Sequence, residues 1–192
     1  MLLIQNKNYN HKNLESDSFS DTVFKKVYIK FTSLINIKFE NCNFIEVDFG
    51  TTDIVNCNFI NCNFSNCELF HTNFKNCNFE NINGSNFDLR AGILINNNFN
   101  SCNFFNSCFR GSKMTKNLFE KFNINNCDMK NIIFETNKYG NSLIKFSNLF
   151  KSKFIKENLK NLNLENCNTF LCTLENSSGF EINDIDKYSI IK

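Results

Sequence analysis

An apolar residue recurs at every fifth position of this chain over about 160 residues. Stepping by five from Leu14 to Leu174 gives 33 positions, of which 31 are apolar and 15 are Phe. Because the chain is 42% hydrophobic, a random register would give about 14 apolar positions. Neither an α-helix, with a period of 3.6, nor a flat strand, with a period of 2, produces such a repeat. The chain is therefore expected to turn a corner every five residues.

The position two residues before each apolar centre is a second interior column with restricted volume. It holds many Ser and Thr and nine of the ten cysteines: Cys42, Cys57, Cys62, Cys67, Cys77, Cys102, Cys127, Cys167 and Cys172. A buried Cys behaves as a compact hydrophobe, and the spacings between these cysteines are those of the repeat itself. We therefore predict reduced structural thiols rather than disulfides or metal ligands. Cys108 is the one cysteine at an outward position, and the three outward positions hold most of the Asn.

The repeating unit is a small residue, then Asn or Asp, then Phe or Leu, then two polar residues. It resembles the pentapeptide-repeat family over about 85% of the chain, and most regularly between Ile37 and Phe79. The resemblance implies an all-β fold: a right-handed quadrilateral parallel β-helix with four pentapeptides per coil and residues twenty apart stacked. About eight coils, spaced ~4.8 Å apart, would make a rod of roughly 40 Å.

The register divides the chain into one main solenoid and two end segments. Residues 14–179 form the predicted solenoid, and residues 1–13 keep only a trace of the register and are expected to form an N-terminal cap. Residues 180–192 are amphipathic, either as a helix or as two short strands. We expect this tail to cover the last coil as a cap or to pair with a second copy as a dimerisation segment. The candidate cap or dimer contacts are Phe150, Phe170, Phe180, Ile182, Ile185 and Tyr188.

The repeat is least regular at residues 81–95. Gly84 stands at a centre there and Phe87 at a normally small position. This pattern predicts an irregular coil, in which the wall is either bulged or pinched. Phe122 at another small position predicts a second local bulge. The register resumes after each irregularity, so no domain boundary is expected.

Charge and hydropathy exclude several classes of function. Lys+Arg (21) nearly balances Asp+Glu (19), so no global field attracts nucleic acid or an anionic membrane. The N-terminal apolar run, Met1 to Ile4, is too short for a signal peptide, and no later stretch approaches ~18 apolar residues. We therefore expect a cytoplasmic protein with no membrane contact and no direct nucleic-acid binding.

No catalytic motif was found in the sequence. It contains no GxGxxG, phosphate-binding loop, HExxH or nucleophile elbow, and His11 and His71 are isolated in different registers. A filled solenoid also has no cleft to enclose a substrate. We therefore predict a protein that is not an enzyme, with no cofactor, no catalytic residue and no metal ligand.

Two outward surfaces are candidates for partner binding. On the face centred at Phe49 and Phe109, the residues directly before the centres form an acidic row: Asp48, Glu68, Asp88 and Asp128. The residues directly after the centres form a basic row, which includes Arg90 and Arg110. The family resemblance implies a relation to its topoisomerase-interacting, quinolone-resistance branch, whose rods imitate DNA through an acidic surface; a self-neutralising salt-bridge ladder is the other interpretation. A second face aligns an apolar strip: Ile35, Val55, Ile95 and Ile155.

These features predict a non-enzymatic, rod-shaped scaffold that binds an unidentified protein partner through one outer face. The alternative is a DNA-mimicking regulator or protector of a type II topoisomerase such as DNA gyrase. A homodimer formed through the C-terminus is compatible with both.

Overall fold

The computed structural model describes residues 1–179 and the backbone of residues 190–191. This part of the chain is all-β, with short strands and no helix. The strands are β1 (Leu2–Gln5), β2 (Asn13–Glu15), β3 (Ser18–Ser20), β4 (Thr22–Lys25), β5 (Ser33–Ile35), β6 (Lys38–Glu40), β7 (Asn43–Ile45), β8 (Asp53–Val55), β9 (Asn58–Ile60), β10 (Asn63–Ser65), β11 (Asn73–Lys75), β12 (Asn78–Glu80), β13 (Asn83–Ser85), β14 (Ile93–Ile95), β15 (Asn98–Asn100), β16 (Asn103–Phe105), β17 (Lys113–Thr115), β18 (Leu118–Glu120), β19 (Asn123–Asn125), β20 (Ile133–Glu135), β21 (Lys138–Gly140), β22 (Ser142–Lys145), β23 (Lys153–Ile155), β24 (Leu162–Glu165), β25 (Thr173–Glu175) and β26 (Ile190–Ile191).

The strands form three parallel sheets, which are three faces of a square coil. The first face is the nine-stranded sheet β1-β4-β7-β10-β13-β16-β19-β22-β24. The third face is the ten-stranded sheet β2-β5-β8-β11-β14-β17-β20-β23-β25-β26, and the fourth is the seven-stranded sheet that runs from β3 to β21. The second face, called the turn face below, has only single bridges between residues twenty apart, from Asn8 to Asn168. This topology confirms a quadrilateral parallel β-solenoid.

The solenoid has nine coils, close to the eight or so predicted, because residues 1–13 belong to the first coil. β1 pairs with β4 in register, and Asn8 bridges to Tyr28. Residues 1–13, which were predicted as an N-terminal cap, thus form part of this first coil. The interior residues of this coil, Ile4 and Tyr9 among them, are only half-buried because no coil covers them.

The predicted apolar centres form the core, and from Phe24 onwards they are buried, with Gly84 among them. On the fourth face, seven rings from Phe19 to Tyr139 stack on one another with centroids 4.6–5.6 Å apart. Aromatic stacking at this distance adds to the hydrophobic stabilisation that burial provides. The predicted interior column is therefore confirmed.

The corners explain why the sequence is so rich in Asn. Every fifth residue from Asn6 to Asn176, except Asn161, has a positive φ, at 48–59° for all of them but Gly111. This left-handed conformation costs most residues roughly 1–2 kcal/mol, and Asn and Gly tolerate it best. The Asn side chains also form ladders, because an amide nitrogen such as that of Asn76 donates to the oxygen of Asn56, 3.2 Å away.

The small column is selected for hydrogen-bond donors as well as for volume. Most of its Thr, Ser, Cys and Asn side chains donate to the carbonyl of the centre 23 residues earlier. Thr72 Oγ1 lies 2.9 Å from the carbonyl of Phe49, and Cys67 Sγ lies 3.3 Å from that of Phe44. All ten cysteines are free, and eight of the nine in this column are buried. Cys167 is the exception, since it lies near the end of the rod and is half-buried.

The irregular coil expected at residues 81–95 is absent. β13 pairs in register with β10 and with β16. A Cβ added at Gly84 would lie 2.5 Å from ring carbons of both Phe87 and Phe104. The ring of Phe87 therefore occupies the volume that a large centre would fill, and the backbone needs no bulge.

The bulge expected at Phe122 is absent for a related reason. Its ring is buried 4.5 Å from that of Phe119, and β18 and β19 keep their register. The nearest centre on the first face is Ile124, which is smaller than the Phe found at other centres. The interior accommodates the extra ring without a change in the coil.

The end of the chain returns to the last coil. β26 pairs with β25 on the third face, with Thr173 opposite Ile190 and Leu174 opposite Ile191. The intervening residues 180–189, which include Phe180, Ile182, Ile185 and Tyr188, lie outside the described residues.

Candidate partner-binding face

The turn face owes its geometry to a β-turn in each coil. The N–H of Thr52 donates to the carbonyl of Phe49 at 3.1 Å, and Thr51 between them has a φ of 59°. A positive φ at the third residue is typical of a type II turn. The side chain before the centre supports the turn: Asp48 Oδ1 accepts from the N–H of Gly50 at 2.9 Å, and Asp88 and Asp128 accept in the same way. These aspartates therefore hold the backbone in place.

The acidic row on this face is partly neutralised by the basic row. Asp48 is only 8% exposed, and its carboxylate lies 2.6 Å from Lys30 Nζ. The hydrogen bond from this ammonium to Asp48 raises the pKa of Lys30. Arg90 binds Asp88 through Nη2 at 2.5 Å and through Nε at 2.8 Å. Two of the four acidic candidates therefore present an ion pair rather than a free negative charge.

The exposed aromatic residues are concentrated on one side of the rod. In residues 1–179, every exposed Phe or Tyr lies on the turn face or on the adjoining edge of the first face: Tyr28, Phe31, Phe70, Phe105, Phe146 and Phe170. Both histidines are also exposed on the turn face, and both arginines of the chain lie there. Arg90 packs over the ring of Phe70 with its Cζ 5.5 Å from the centroid. This surface combines aromatic, guanidinium and imidazole groups.

Two of these aromatic residues occupy positions that are unfavourable for the fold. Phe31 and Phe146 are corner residues with φ of 52° and 49°, where the repeat most often has Asn. Their side chains are 54% and 57% exposed. Each therefore combines a left-handed backbone with apolar surface in water, and neither feature stabilises the rod.

Cys108 stands where the acidic row has a gap. Its side chain is half-buried between Asp88 and Asp128, and burial, assisted by these two carboxylates, raises the pKa of its thiol. A raised pKa disfavours the reactive thiolate. Arg110, two residues later, lacks the carboxylate partner that Arg90 has and is exposed.

The apolar strip on the third face is interrupted. Ile35 and Val55 are neighbours in the sheet, but Lys75 separates Val55 from Ile95. Thr115 and Glu135 then separate Ile95 from Ile155. The structure therefore aligns the four residues in one column without bringing them into a continuous patch.

The two C-terminal aromatic candidates meet on the turn face. The rings of Phe150 and Phe170 stack with centroids 6.0 Å apart, and Lys151 Nζ lies 5.0 Å from the Phe150 centroid.

Within the described residues, no group of three or more His, Cys, Asp or Glu could hold a metal ion. No helix there is long and apolar enough to cross a membrane.

Sequence reasoning selected the charged residues of this face and missed most of its aromatic ones. Tyr28, Phe31, Phe105 and Phe146 were not singled out, because in a chain with 24 Phe an individual outward Phe is inconspicuous. The sequence nevertheless contains a pattern that could have identified them. Sorting the outward aromatic residues by their position within the twenty-residue coil places them on one side.

The fold and its repeat agree with comparisons with known proteins. A family model described as pentapeptide repeats matches residues 22–59 and 52–83. QnrB1, described as a plasmid-mediated fluoroquinolone resistance protein, is 17% identical with a TM-score of 0.50, covering 94% of this chain and 92% of its own. HetL, a pentapeptide-repeat protein involved in heterocyst differentiation regulation in the cyanobacterium Nostoc sp. strain PCC 7120, is 10% identical with a TM-score of 0.47, covering 85% and 90%.

A search of curated proteins finds no match. At these identities the structural likeness concerns the fold alone. The five-residue repeat, the square parallel coils and the family match over residues 22–83 lead to one conclusion: this chain carries pentapeptide repeats.

Proposed function

We propose that this protein is a non-enzymatic, rod-shaped scaffold that binds a protein partner through the turn face and the adjoining edge of the first face. The observation that carries the proposal is the confinement of the exposed aromatic residues and both arginines to this side. Aromatic residues and Arg are enriched in protein interfaces and dominate their binding energy, whereas Lys and Glu are depleted there.

The position of Phe31 and Phe146 supports the same proposal. An exposed Phe at a left-handed corner lowers stability relative to Asn, so these two residues need a reason other than folding. A rod with a stable core can carry such residues where a partner covers them. The charged candidates Asp48, Asp88, Arg90 and Arg110 would then form the polar part of the interface.

Protection of a type II topoisomerase by DNA mimicry is the alternative function. QnrB1, whose fold this chain shares, is described as a fluoroquinolone resistance protein. A DNA mimic needs a continuous negative surface, and here Asp48 and Asp88 are paired with Lys30 and Arg90. We therefore expect the purified protein to leave gyrase supercoiling and its quinolone inhibition unchanged. Protection of gyrase in this assay would favour the alternative.

Site-specific photo-crosslinking tests the proposed face. A photoreactive phenylalanine analogue is placed at Phe70, Phe105 or Phe170 on the proposed face, and at Ile60 or Asn100 on the fourth face as the control. The proteins are expressed in cells of the source organism. We expect one common protein to be cross-linked from the first three positions and from neither control position. Cross-links from the fourth-face positions alone would refute the assignment of the face.

A further inference from the structure

One interior column, on the edge between the third and fourth faces, becomes polar towards the C-terminus. Its buried members are Ile37, Cys57, Cys77, Asn97, Asn117, Asn137 and Glu157. Glu157 is only 2% exposed. The one other buried carboxyl group in the described residues belongs to Asp48, which has Lys30 as its partner.

Glu157 continues a ladder of asparagine amides. Asn117 Oδ1 accepts from the main-chain N and from Nδ2 of Asn97, at 2.9 and 3.1 Å. Asn137 Oδ1 accepts the same pair of bonds from Asn117. Glu157 Oε1 accepts them from Asn137, both at 3.0 Å. Oε1 therefore takes the place of an amide carbonyl oxygen.

The other carboxyl oxygen, Glu157 Oε2, lacks the hydrogen bond to a main-chain carbonyl that the donor side chains of this column make. In this column each donor side chain binds the carbonyl of the third-face centre 23 residues earlier. The pairs are Cys57 to Leu34, Cys77 to Ile54, Asn97 to Phe74, Asn117 to Leu94, Asn137 to Met114 and Ser177 to Phe154. The missing pair is Glu157 to Phe134. Glu157 Oε2 is also one of three buried side-chain oxygens without a partner in the described residues, and the hydroxyl oxygen of Tyr139, which acts on the same carboxyl group, is another.

Among the described residues, no cation compensates a negative charge on Glu157. The titratable groups that act on Glu157 are the hydroxyl of Tyr139 and the carboxylate of Glu135, which is itself paired with Lys113 at 2.8 Å. Burial raises the pKa of Glu157 to about 7, and the negative charge of Glu135 adds to the effect. Burial also raises the pKa of Tyr139, so that its hydroxyl stays neutral. An isolated buried carboxylate is expected to take up a proton.

We infer that Glu157 is a proton-controlled latch: its protonated Oε2 supplies the missing donor towards the Phe134 carbonyl, and release of this proton to solvent loosens the last coil. A carboxylic acid has the same pairing of one acceptor and one donor as the Asn amides of the ladder, whereas a carboxylate has no donor. The inference does not depend on the proposed function.

The last coil is the part that would open, because it is joined directly to Glu157. The N–H of Glu157 donates to Ser177 Oγ at 3.0 Å, and its carbonyl accepts from the N–H of Ser178 at 2.9 Å. In the part of the chain that the structure describes, no further full coil packs against the last one. The same coil carries Phe170, so opening would also separate the Phe150–Phe170 stack.

The direction of the pH dependence follows from the raised pKa. The folded pKa of about 7 lies above the ordinary value of 4.5. The stabilisation is therefore complete below about pH 4.5 and is lost as the pH rises through about 7. Between these limits the opening constant of the last coil should increase by about tenfold per pH unit, and above them it should level off.

An NMR titration of the full chain tests the protonation directly. The side-chain carboxyl carbon of Glu157, assigned through its backbone resonances in the wild type, should titrate with a midpoint of about 7. Tyr139→Phe should raise this midpoint, because the hydroxyl favours the ionised form. A wild-type midpoint below about 5.5 would overturn the inference.

Hydrogen exchange tests the latch. After correction for intrinsic exchange rates, the protection of the Cys172 and Thr173 amides should fall between pH 5 and pH 7.5, while that of Thr72 and Asn73 stays constant. Glu157→Gln keeps the acceptor and the donor and should remove the pH dependence. Glu135→Gln, a control on the neighbouring coil, should keep it. Persistence of the wild-type pH dependence in Glu157→Gln would refute the latch.

Discussion

Asparagine at a corner serves both the backbone and the ladder of side chains. Asn61 has a φ of 53°, donates to Asn41 Oδ1 at 3.1 Å and accepts from Asn81 at 3.0 Å. The left-handed conformation disfavours residues with a Cβ, and Asn offsets part of that cost through local hydrogen bonds. Corner composition therefore affects stability even though the side chains are exposed.

Substitution of Asn61 separates these two contributions. Asn61→Ala should lower the free energy of unfolding by about 1–2 kcal/mol, because Ala is strained at positive φ and also loses the ladder. Asn61→Gly should cost less, since Gly loses the ladder but is unstrained. Urea unfolding of both variants measures the difference. A larger loss for Gly than for Ala would contradict the assigned corner conformation.

At the scale of one coil, a residue that departs from the repeat is compensated by the size of a neighbouring side chain. The absence of a side chain at Gly84 is compensated by the ring of Phe87 in the neighbouring column. The coil keeps its pairing with both neighbours. Gly84 and Phe87 each depart from the repeat, but together they keep the interior of the coil filled.

This compensation predicts a strong coupling between the two positions. Gly84→Phe should destabilise the protein by about 1–3 kcal/mol through overpacking against Phe87 and Phe104. Phe87→Cys should cost about 2–4 kcal/mol because it leaves a cavity. The double variant restores the regular repeat and should cost clearly less than the sum of the two. Additive losses in thermal or urea unfolding would show that the rings do not share one volume.

The five-residue period was sufficient to predict a chain that turns a corner every five residues and its interior columns. The family resemblance supplied the four pentapeptides per coil that place each outward residue on a face. The period was insufficient where the outcome depended on contacts between columns. The filling of the space at Gly84 by Phe87 and the inclusion of residues 1–13 in the first coil require three-dimensional packing. The role of the small column as a source of hydrogen-bond donors was also missed, because small volume alone is enough to explain Cys and Thr at these positions. Of the proposed binding face, the charged residues were selected from the sequence, whereas Tyr28, Phe31 and Phe146 were not.

At the scale of the whole rod, the two ends differ. The first coil leaves Ile4 and Tyr9 partly exposed, whereas β26 pairs with β25 at the other end. An open end of a solenoid exposes strand edges and apolar interior, which favours a cap or self-association. The mass of the protein in solution distinguishes a tail that caps its own rod from a tail that pairs with a second copy.

Truncation after Ser178 answers this question. We expect the truncated chain to melt at a lower temperature than the full chain, because the edge of β25 loses its partner. Light scattering of both chains distinguishes the two roles: a dimer that becomes a monomer indicates pairing, and a monomer in both cases indicates a cap. Unchanged mass together with an unchanged melting temperature would exclude both roles.

The whole molecule is best understood as a stable rod that carries destabilising residues on one side. The ring stack of the fourth face extends from Phe19 to Tyr139, and Asn ladders join several successive corners. The exposed aromatic residues, by contrast, are confined to the turn face and its edge. The central claim of this account is that these aromatic residues are present for binding rather than for folding.

The double substitution Phe31→Asn/Phe146→Asn tests this claim most directly, with the partner identified by cross-linking as the ligand. Lys116→Asn/Lys121→Asn is the matched control, because these residues occupy left-handed corners on other faces. Both double variants should melt at least as high as the wild type, with a gain of about 2–4 °C per kcal/mol. Only the Phe variant should lose affinity, by about tenfold or more. Unchanged affinity with a lowered melting temperature would contradict the claim, since the two Phe would then be structural.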